Sequence, residues 1–184
     1  SNSLYNSPIF VVPKKDKSLR LVQDFRGLND HCYDDKFSMK EVSECIHEIG
    51  RAGSTIFSTF DLTSGFWQMP LAEASRPLTA FTIPNMDQFQ WKVSAMGLKS
   101  APGAFQRMIQ DAIKGTENVI PYIDDCIVHS ANLHDHLKHL RQFFLAMRSN
   151  NLKLNLKKCF MATPEVHYLG FRLTNKGIYP GSDK

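Results

Sequence analysis

Two adjacent carboxylates caught between apolar, β-branched runs leave this chain few ways to arrange its middle. The stretch is Pro121-Tyr122-Ile123-Asp124-Asp125-Cys126-Ile127-Val128-His129, with Val119-Ile120 before it. Short runs of this kind read as buried strands. Asp124 and Asp125 are then expected in the connection of a β-hairpin. Asp-Asp suits that place poorly, because the favoured two-residue turns need φ > 0 at both positions, as in Asn-Gly or Asp-Gly. Like charges side by side also raise one carboxyl pKa unless a cation neutralises the pair. A hard divalent cation with oxygen ligands, such as Mg²⁺, is the natural relief. An isolated Asp-Asp is ordinarily a solvated acidic turn, so the remainder of the chain has to decide.

At 184 residues the chain suits one domain or a closely knit pair of subdomains. Its 42% hydrophobic and 22% charged residues are ordinary globular material. A net charge of +4 permits a polyanionic partner without requiring one. The charge is unevenly spread: Lys14, Lys15, Lys17, Arg20 and Arg26 crowd one stretch. Lys138, Arg141, Arg148, Lys153, Lys157 and Lys158 occupy another that contains no acid. Cys32, Cys45, Cys126 and Cys159 lie far apart without zinc-ligand spacing, which suits reduced thiols of an intracellular protein. His134, His136 and His139 do not form the HExxH pattern and are expected on a solvated helix face. No apolar stretch is long enough to span a bilayer and no signal peptide is read, so no membrane partner is expected.

Along the chain, Pro8–Pro13 and Leu19–Asp24 read as a hairpin with a basic turn. A short helix or turn follows at Arg26–Asn29. Ser38 and Glu41 make a capping box for a helix carrying Met39, Val42, Ile46 and Ile49, with Gly50 as its stop. Ser54–Phe60 reads as a strand, Leu78–Ile83 and Phe89–Val93 as two more joined through Pro84-Asn85. Ser100 caps a helix with an apolar stripe through Ala101, Ala104, Phe105, Met108, Ile109, Ala112 and Ile113. Asn132 caps another, with Leu133, Leu137, Leu140, Phe144 and Met147 expected inward. A last hairpin is expected over Val166–Leu173, with a turn at Gly177. The sum is an α+β architecture, an antiparallel sheet with helices packed on one face.

Asp61 closes the strand Ser54–Phe60, as Asp124 and Asp125 close theirs. If the strands are neighbours, three carboxylates meet at one sheet end, which is destabilising without a cation. Two Mg²⁺ ions about 3.5–4 Å apart would make a two-metal site suited to phosphoryl or nucleotidyl transfer. Taken alone, Asp61 is equally well an N-cap for the next turn.

Several segments together resemble the fingers and palm of reverse transcriptases, in particular those of gypsy-class LTR retrotransposons and retroviruses. They are Arg20-x-x-x-Asp24-Phe25-Arg26-x-Leu28-Asn29, Phe60-Asp61-Leu62-Thr63-Ser64-Gly65-Phe66-Trp67-Gln68-Met69 and Ser75-Arg76-Pro77-Leu78-Thr79-Ala80-Phe81. Gly97-Leu98-Lys99-Ser100-Ala101-Pro102-Gly103-Ala104-Phe105-Gln106, Tyr122-Ile123-Asp124-Asp125 and Tyr168-Leu169-Gly170-Phe171 complete the set in the family's order.

The resemblance implies fingers over about residues 1–52 and 72–100 and palm over about 53–71 and 101–184. It implies an RNA-directed and DNA-directed DNA polymerase using two Mg²⁺ ions, with Mn²⁺ able to substitute. Its partners would be a primed RNA or DNA template, dNTPs, and the thumb, connection and RNase H regions of the same polyprotein. The setting would be a cytoplasmic retroelement particle, with a nuclear stage allowed. Asp61 and Asp124 would hold the metals, with Asp125 close by and the Leu62 carbonyl as a further ligand. Lys14, or Lys15 in its place, and Arg20 would grip the triphosphate. Thr63, Ser64 and Gly65 would line the nucleotide, and Met96-Gly97 would form its floor. Phe66 would stack beneath the deoxyribose and exclude a 2′-hydroxyl. Arg26 and Gln106 would lie near the template, Tyr122 on the primer terminus, and Leu169-Gly170-Phe171 would hold the primer's end.

Met96 departs from the aromatic or glutamine that the family often has. The family's fingers begin upstream of residue 1, and its thumb would follow Lys184. This stretch alone is therefore expected to be weakly active and poorly processive. Two other readings stand beside the polymerase. One is an inactive or domesticated palm kept as a nucleic-acid-binding or assembly module. The other is a phosphoryl-transfer domain unrelated to templated synthesis, which the Gly97–Gln106 segment opposes.

Overall fold

The computed structural model describes residues 1–13, 17–33 and 37–181. Residues 37–63 and 106–184 contain an antiparallel sheet of four strands in the order β6-β7-β3-β8. These are β3 (Ile56–Asp61), β6 (Val119–Tyr122), β7 (Asp125–Ser130) and β8 (Phe160–Thr163). In β7 every residue from Cys126 to Ser130 is buried, so the strand is covered on both faces. Alternation assigns the faces. Phe57, Thr59 and Asp61 lie opposite His129, Ile127 and Asp125, and all six share one face. Ser58, Phe60, Cys126, Val128 and Ser130 share the other.

The first face packs on a core of Cys45, Ile46 and Ile49 from α2 (Val42–Arg51) with Val166, Tyr168 and Leu173. Those last three belong to the meander β9 (Glu165–Tyr168), β10 (Phe171–Thr174) and β11 (Gly177–Pro180). The second face packs on α4 (Leu133–Ser149), where Phe60 stacks on Phe143 with centroids 4.7 Å apart. These elements, with the C-terminal part of α3 (Ala101–Ala112), form one unit, residues 37–63 and 106–184.

Residues 1–36 and 64–105 form the other unit. It holds the hairpin of β1 (Ile9–Pro13) and β2 (Leu19–Gln23), helix α1 (Arg26–Asn29), and the short pair β4 (Phe81–Thr82) and β5 (Gln88–Phe89). Buried Gln23 ties it together: its amide donates to the Thr79 carbonyl at 3.0 Å and accepts the Trp91 indole N–H at 2.8 Å.

The α+β class is as expected, and several local expectations are corrected. The Ser38 capping box does not form. The helix begins at Val42 with Glu41 as its cap, and Val42 is its first residue packed against the core. Gly50 does not stop it. A Cβ there would lie 3.3 Å from Ile178 Cδ1, and the left-handed exit falls on Gly53 at φ +60°. Most of Leu78–Ile83 is not strand: Glu73–Thr79 is 3₁₀-helical, leaving the two-residue strands β4 and β5. α2 belongs to the unit of residues 37–63 and 106–184, where its apolar face completes the core against β3 and β7.

α4 presents a different face from the one expected. Leu133 and Leu137 are exposed, while His136, His139, Leu140, Phe143 and Met147 point inward. The two histidines are therefore buried and not solvated; His134 alone is exposed. They are accepted because serines on the second face meet them. Ser58 Oγ lies 2.7 Å from His136 Nε2. Ser130 Oγ lies 2.9 Å from His136 Nδ1 and 2.8 Å from His139 Nδ1. On the opposite face Ser54 Oγ is 2.7 Å from His129 Nδ1.

Candidate active site

The Asp-Asp hairpin is shifted by one residue from expectation. Tyr122 pairs with Asp125, so the two turn residues are Ile123 and Asp124, and Asp125 opens the strand β7. Ile123 takes φ +54°, a left-handed conformation costly for a β-branched side chain. Gln106 on α3, only 2% exposed, holds it there. The Ile123 N–H donates to Gln106 Oε1 at 2.6 Å, and Gln106 Nε2 donates to the Pro121 carbonyl at 3.0 Å. The amide expected near a template is thus committed to the hairpin backbone. Gln106→Ala should cost about 2 kcal/mol, since it strands a part-buried backbone carbonyl as well as losing the bonds. Urea unfolding measures this, and amide exchange at Ile123 should lose its protection; unchanged exchange there would refute the clamp.

The shift has a chemical consequence. Asp125 now faces Asp61 directly across the β3–β7 ladder. Residues so opposed have Cβ atoms about 4.5–5.5 Å apart. The Leu62 N–H donates to the Asp124 carbonyl at 2.8 Å, which fixes the hairpin tip beside the end of β3. The three acids therefore do meet at one sheet end. Partial burial pushes the Asp125 carboxyl upward, and the charges of Asp124 and Asp61 push it further; Lys158 opposes them.

Lys158 was not anticipated. Its Nζ is 3.4 Å from Asp61 Oδ2. A hollow of about 200 Å³ beside it is lined by Asp61, Asp125, Phe160, Tyr168 and Leu169 among others. The signal available in the sequence was only the acid-free basic stretch, which does not say which lysine turns inward. Among the described residues no three carboxylate, imidazole or thiol side chains are grouped as a metal cage. The crowding of like charge on Asp125 is nonetheless what a hard cation would relieve, so the acids fit such an ion.

Leu169 and Gly170 form the two-residue turn between β9 and β10, with φ of +50° and +80°. Positive φ at both positions is the I′ pattern of tight hairpins. The Gly170 carbonyl accepts the Gly181 N–H at 2.8 Å. Tyr122, Leu169 and Phe171 are partly buried against the core cluster. Thr63 and Ser64 are exposed, Gly65 is buried, and Leu62 is 2% exposed.

In the other unit, Phe66 is half-buried, edge-on to Phe105 with centroids 5.5 Å apart. Arg20 is exposed on β2. Lys14 and Lys15 lie outside the described residues. Arg26 is tied to Asp24 through Nη2 at 2.7 Å and Nε at 3.0 Å, and the Arg26 hydrogen bonds hold the Asp24 carboxyl down at about 2. Asn29 fixes the loop before α3. Its amide donates to the Gly97 carbonyl at 2.9 Å and accepts the Lys99 N–H at 2.9 Å. Gly97 is left-handed at φ +98°, with Met96 exposed beside it.

Comparison with known proteins gives the family. Residues 12–173 match the family described as "Reverse transcriptase (RNA-dependent DNA polymerase)". Over its full length the chain is 40% identical to the "Retrovirus-related Pol polyprotein from transposon 412" of Drosophila melanogaster. It is 38% identical to that from transposon opus of the same fly over 97% of its length. It is also 40% identical to "Polyprotein P3" of Commelina yellow mottle virus over 90% of its length. The chain spans 15%, 18% and 9% of those three proteins. A foamy viral protease-reverse transcriptase solved with double-stranded DNA superposes on the whole chain with TM-score 0.87 and 29% identity, over 32% of its own length. The same enzyme with an RNA/DNA hybrid gives 0.85 and 28%, over 24% of its length. Matched by the family over nearly its whole length and by relatives of this similarity throughout, the chain belongs to the reverse transcriptases.

Proposed function

We propose that this chain is the polymerase portion of a retroelement protein and extends a DNA primer on an RNA or DNA template. The observation that carries the reading is the register of the central sheet, which sets Asp61 against Asp125 with Asp124 at the adjoining tip. The unit holding these acids is assigned as palm and the other as fingers. The relatives seen with double-stranded DNA and with an RNA/DNA hybrid supply the partner class, a primer–template duplex.

Asp61, Asp124 and Asp125, with the Leu62 carbonyl, would hold two Mg²⁺ ions. When bound, such ions supply Lewis acidity for the attacking and leaving oxygens. In the reaction a primer 3′-hydroxyl loses its proton, its oxygen bonds to the α-phosphorus of a dNTP, and the bond to pyrophosphate breaks. Arg20 would steady the triphosphate, since a guanidinium gives charge-assisted bonds to phosphate oxygens. Leu169-Gly170-Phe171 and Tyr122 would bear on the primer's end. Template affinity should rest on phosphate contacts and weaken steeply with salt.

Single-turnover extension of a DNA primer on RNA and on DNA templates, with Mg²⁺ or Mn²⁺ and enzyme in excess, tests the reading. Incorporation of one dNTP supports it. Duplex binding without incorporation would favour a module that binds nucleic acid and catalyses nothing. Phe66→Val should lower discrimination against ribonucleotides by about tenfold to a hundredfold. The ratio of kcat/KM for dNTP and rNTP measures this, and an unchanged ratio removes Phe66 from sugar selection.

A further inference from the structure

The basic residue beside the acids sits in a built position, not on a chance surface contact. The segment that carries it is stitched to the end of β3. The Thr63 N–H donates to the Lys153 carbonyl at 2.9 Å, and Leu62 bridges Leu154. The Asn155 N–H donates to the Asp61 carbonyl at 2.8 Å, and the Lys158 N–H to the Asn155 carbonyl at 2.9 Å. One 3₁₀ turn, Leu156–Lys158, then returns the lysine to Asp61. The root of the side chain is thus anchored through Asn155 to the very residue whose carboxylate its ammonium meets. The two ends of the ion pair differ in freedom. The Asp61 side chain is 22% exposed, whereas that of Lys158 is 66% exposed. The lysine can leave into water while the carboxylate stays.

We propose that Lys158 is a displaceable internal cation, neutralising Asp61 while no divalent ion is bound and withdrawing when one binds. This rests on the polymerase reading, which puts the divalent ion at Asp61. Its consequence is that ion binding must break the Lys158–Asp61 pair, so the wild-type chain binds divalent ions more weakly than its carboxylates alone allow. The lysine keeps the sheet end from carrying three uncompensated negative charges before the ion arrives. Afterwards it is a free cation on a short tether beside the site.

Mn²⁺ binding to the intact chain, followed by the electron paramagnetic resonance of free Mn²⁺ without nucleic acid or nucleotide, tests this directly. Lys158→Gln should bind Mn²⁺ about threefold to fivefold more tightly, the size expected for breaking a partly exposed ion pair. Lys158→Arg, which keeps the charge, should stay within about twofold of the wild type. The advantage of Lys158→Gln should shrink as salt screens the pair. Unchanged or weaker Mn²⁺ binding by folded Lys158→Gln overturns the proposal. Should that variant not fold, tighter binding by Lys158→Arg would overturn it instead. Asp61→Asn separates the two levels. If it leaves Mn²⁺ affinity unchanged, the ion is not at Asp61 and the polymerase reading fails with the proposal. If it weakens Mn²⁺ binding while Lys158→Gln has no effect, only the role of Lys158 fails.

Discussion

Asp124→Asn is expected to lower single-nucleotide primer extension by about a thousandfold or more while leaving the fold intact. The hairpin tip depends on the backbone of this residue, whose carbonyl accepts the Leu62 N–H, and not on its exposed carboxylate. The Gln106 clamp acts on Pro121 and Ile123 and is equally indifferent to the side chain. Asparagine has the same shape and removes one negative charge from a group of three, so stability should hold or rise. Asp125 shows the sign. Its carboxyl is pushed upward by burial and by Asp124 and Asp61, so charge at this sheet end opposes folding unless a cation compensates it. Rapid-quench extension measures the first effect and urea unfolding the second. Near wild-type extension would remove Asp124 from catalysis, and unfolding of the variant would place its role in the fold.

The second large effect is a loss of stability in mild acid. His129 is 1% exposed, and burial is the chief reason its imidazole is held down at about 4, below the ordinary 6.5. The charges of His139 and His136 lower it further and that of Glu48 opposes them. Burial, then His139, also lowers His136. An unfolded chain takes up these protons near pH 6.5, whereas the fold resists them. The contribution is therefore complete above about pH 6.5 and declines as the pH falls toward 4. For His129 alone it amounts to about 3 kcal/mol, a large part of the 5–15 kcal/mol typical of a domain. Urea unfolding at pH 7.5 and at pH 5 should show the loss, and His129→Gln should flatten the difference. Equal stability at both values would mean that protons reach these imidazoles without opening the core.

What the chain shows in one dimension and what it conceals can be told from particular residues. The strands around Asp61 and Asp124-Asp125, the helix Ala101–Ala112 and the tight Leu169-Gly170 turn are all written in short-range pattern. α4 is not. Leu133, Leu137, Leu140, Phe144 and Met147 make one helical stripe; His136, His139, Leu140, Phe143 and Met147 make another. Hydropathy favours the leucines, but Ser58 and Ser130 satisfy the buried imidazoles, and Ser58 comes from a strand far away in sequence. The Asp-Asp turn is similar. Local turn chemistry favours aspartate over a β-branched residue at positive φ. The fold instead puts Ile123 there, because Gln106 catches it and the ladder pairs Asp125 with Asp61.

By itself, then, the order of residues determined the α+β class and the family, because each is carried by spacing along a few neighbouring positions. Only the tertiary structure decided that Asp61 faces Asp125, that Gln106 serves the hairpin, that two histidines of α4 lie in the core, and that Lys158 stands on Asp61. Each of those facts joins groups that the chain brings together only by folding, and their energies come from partners that no local pattern contains.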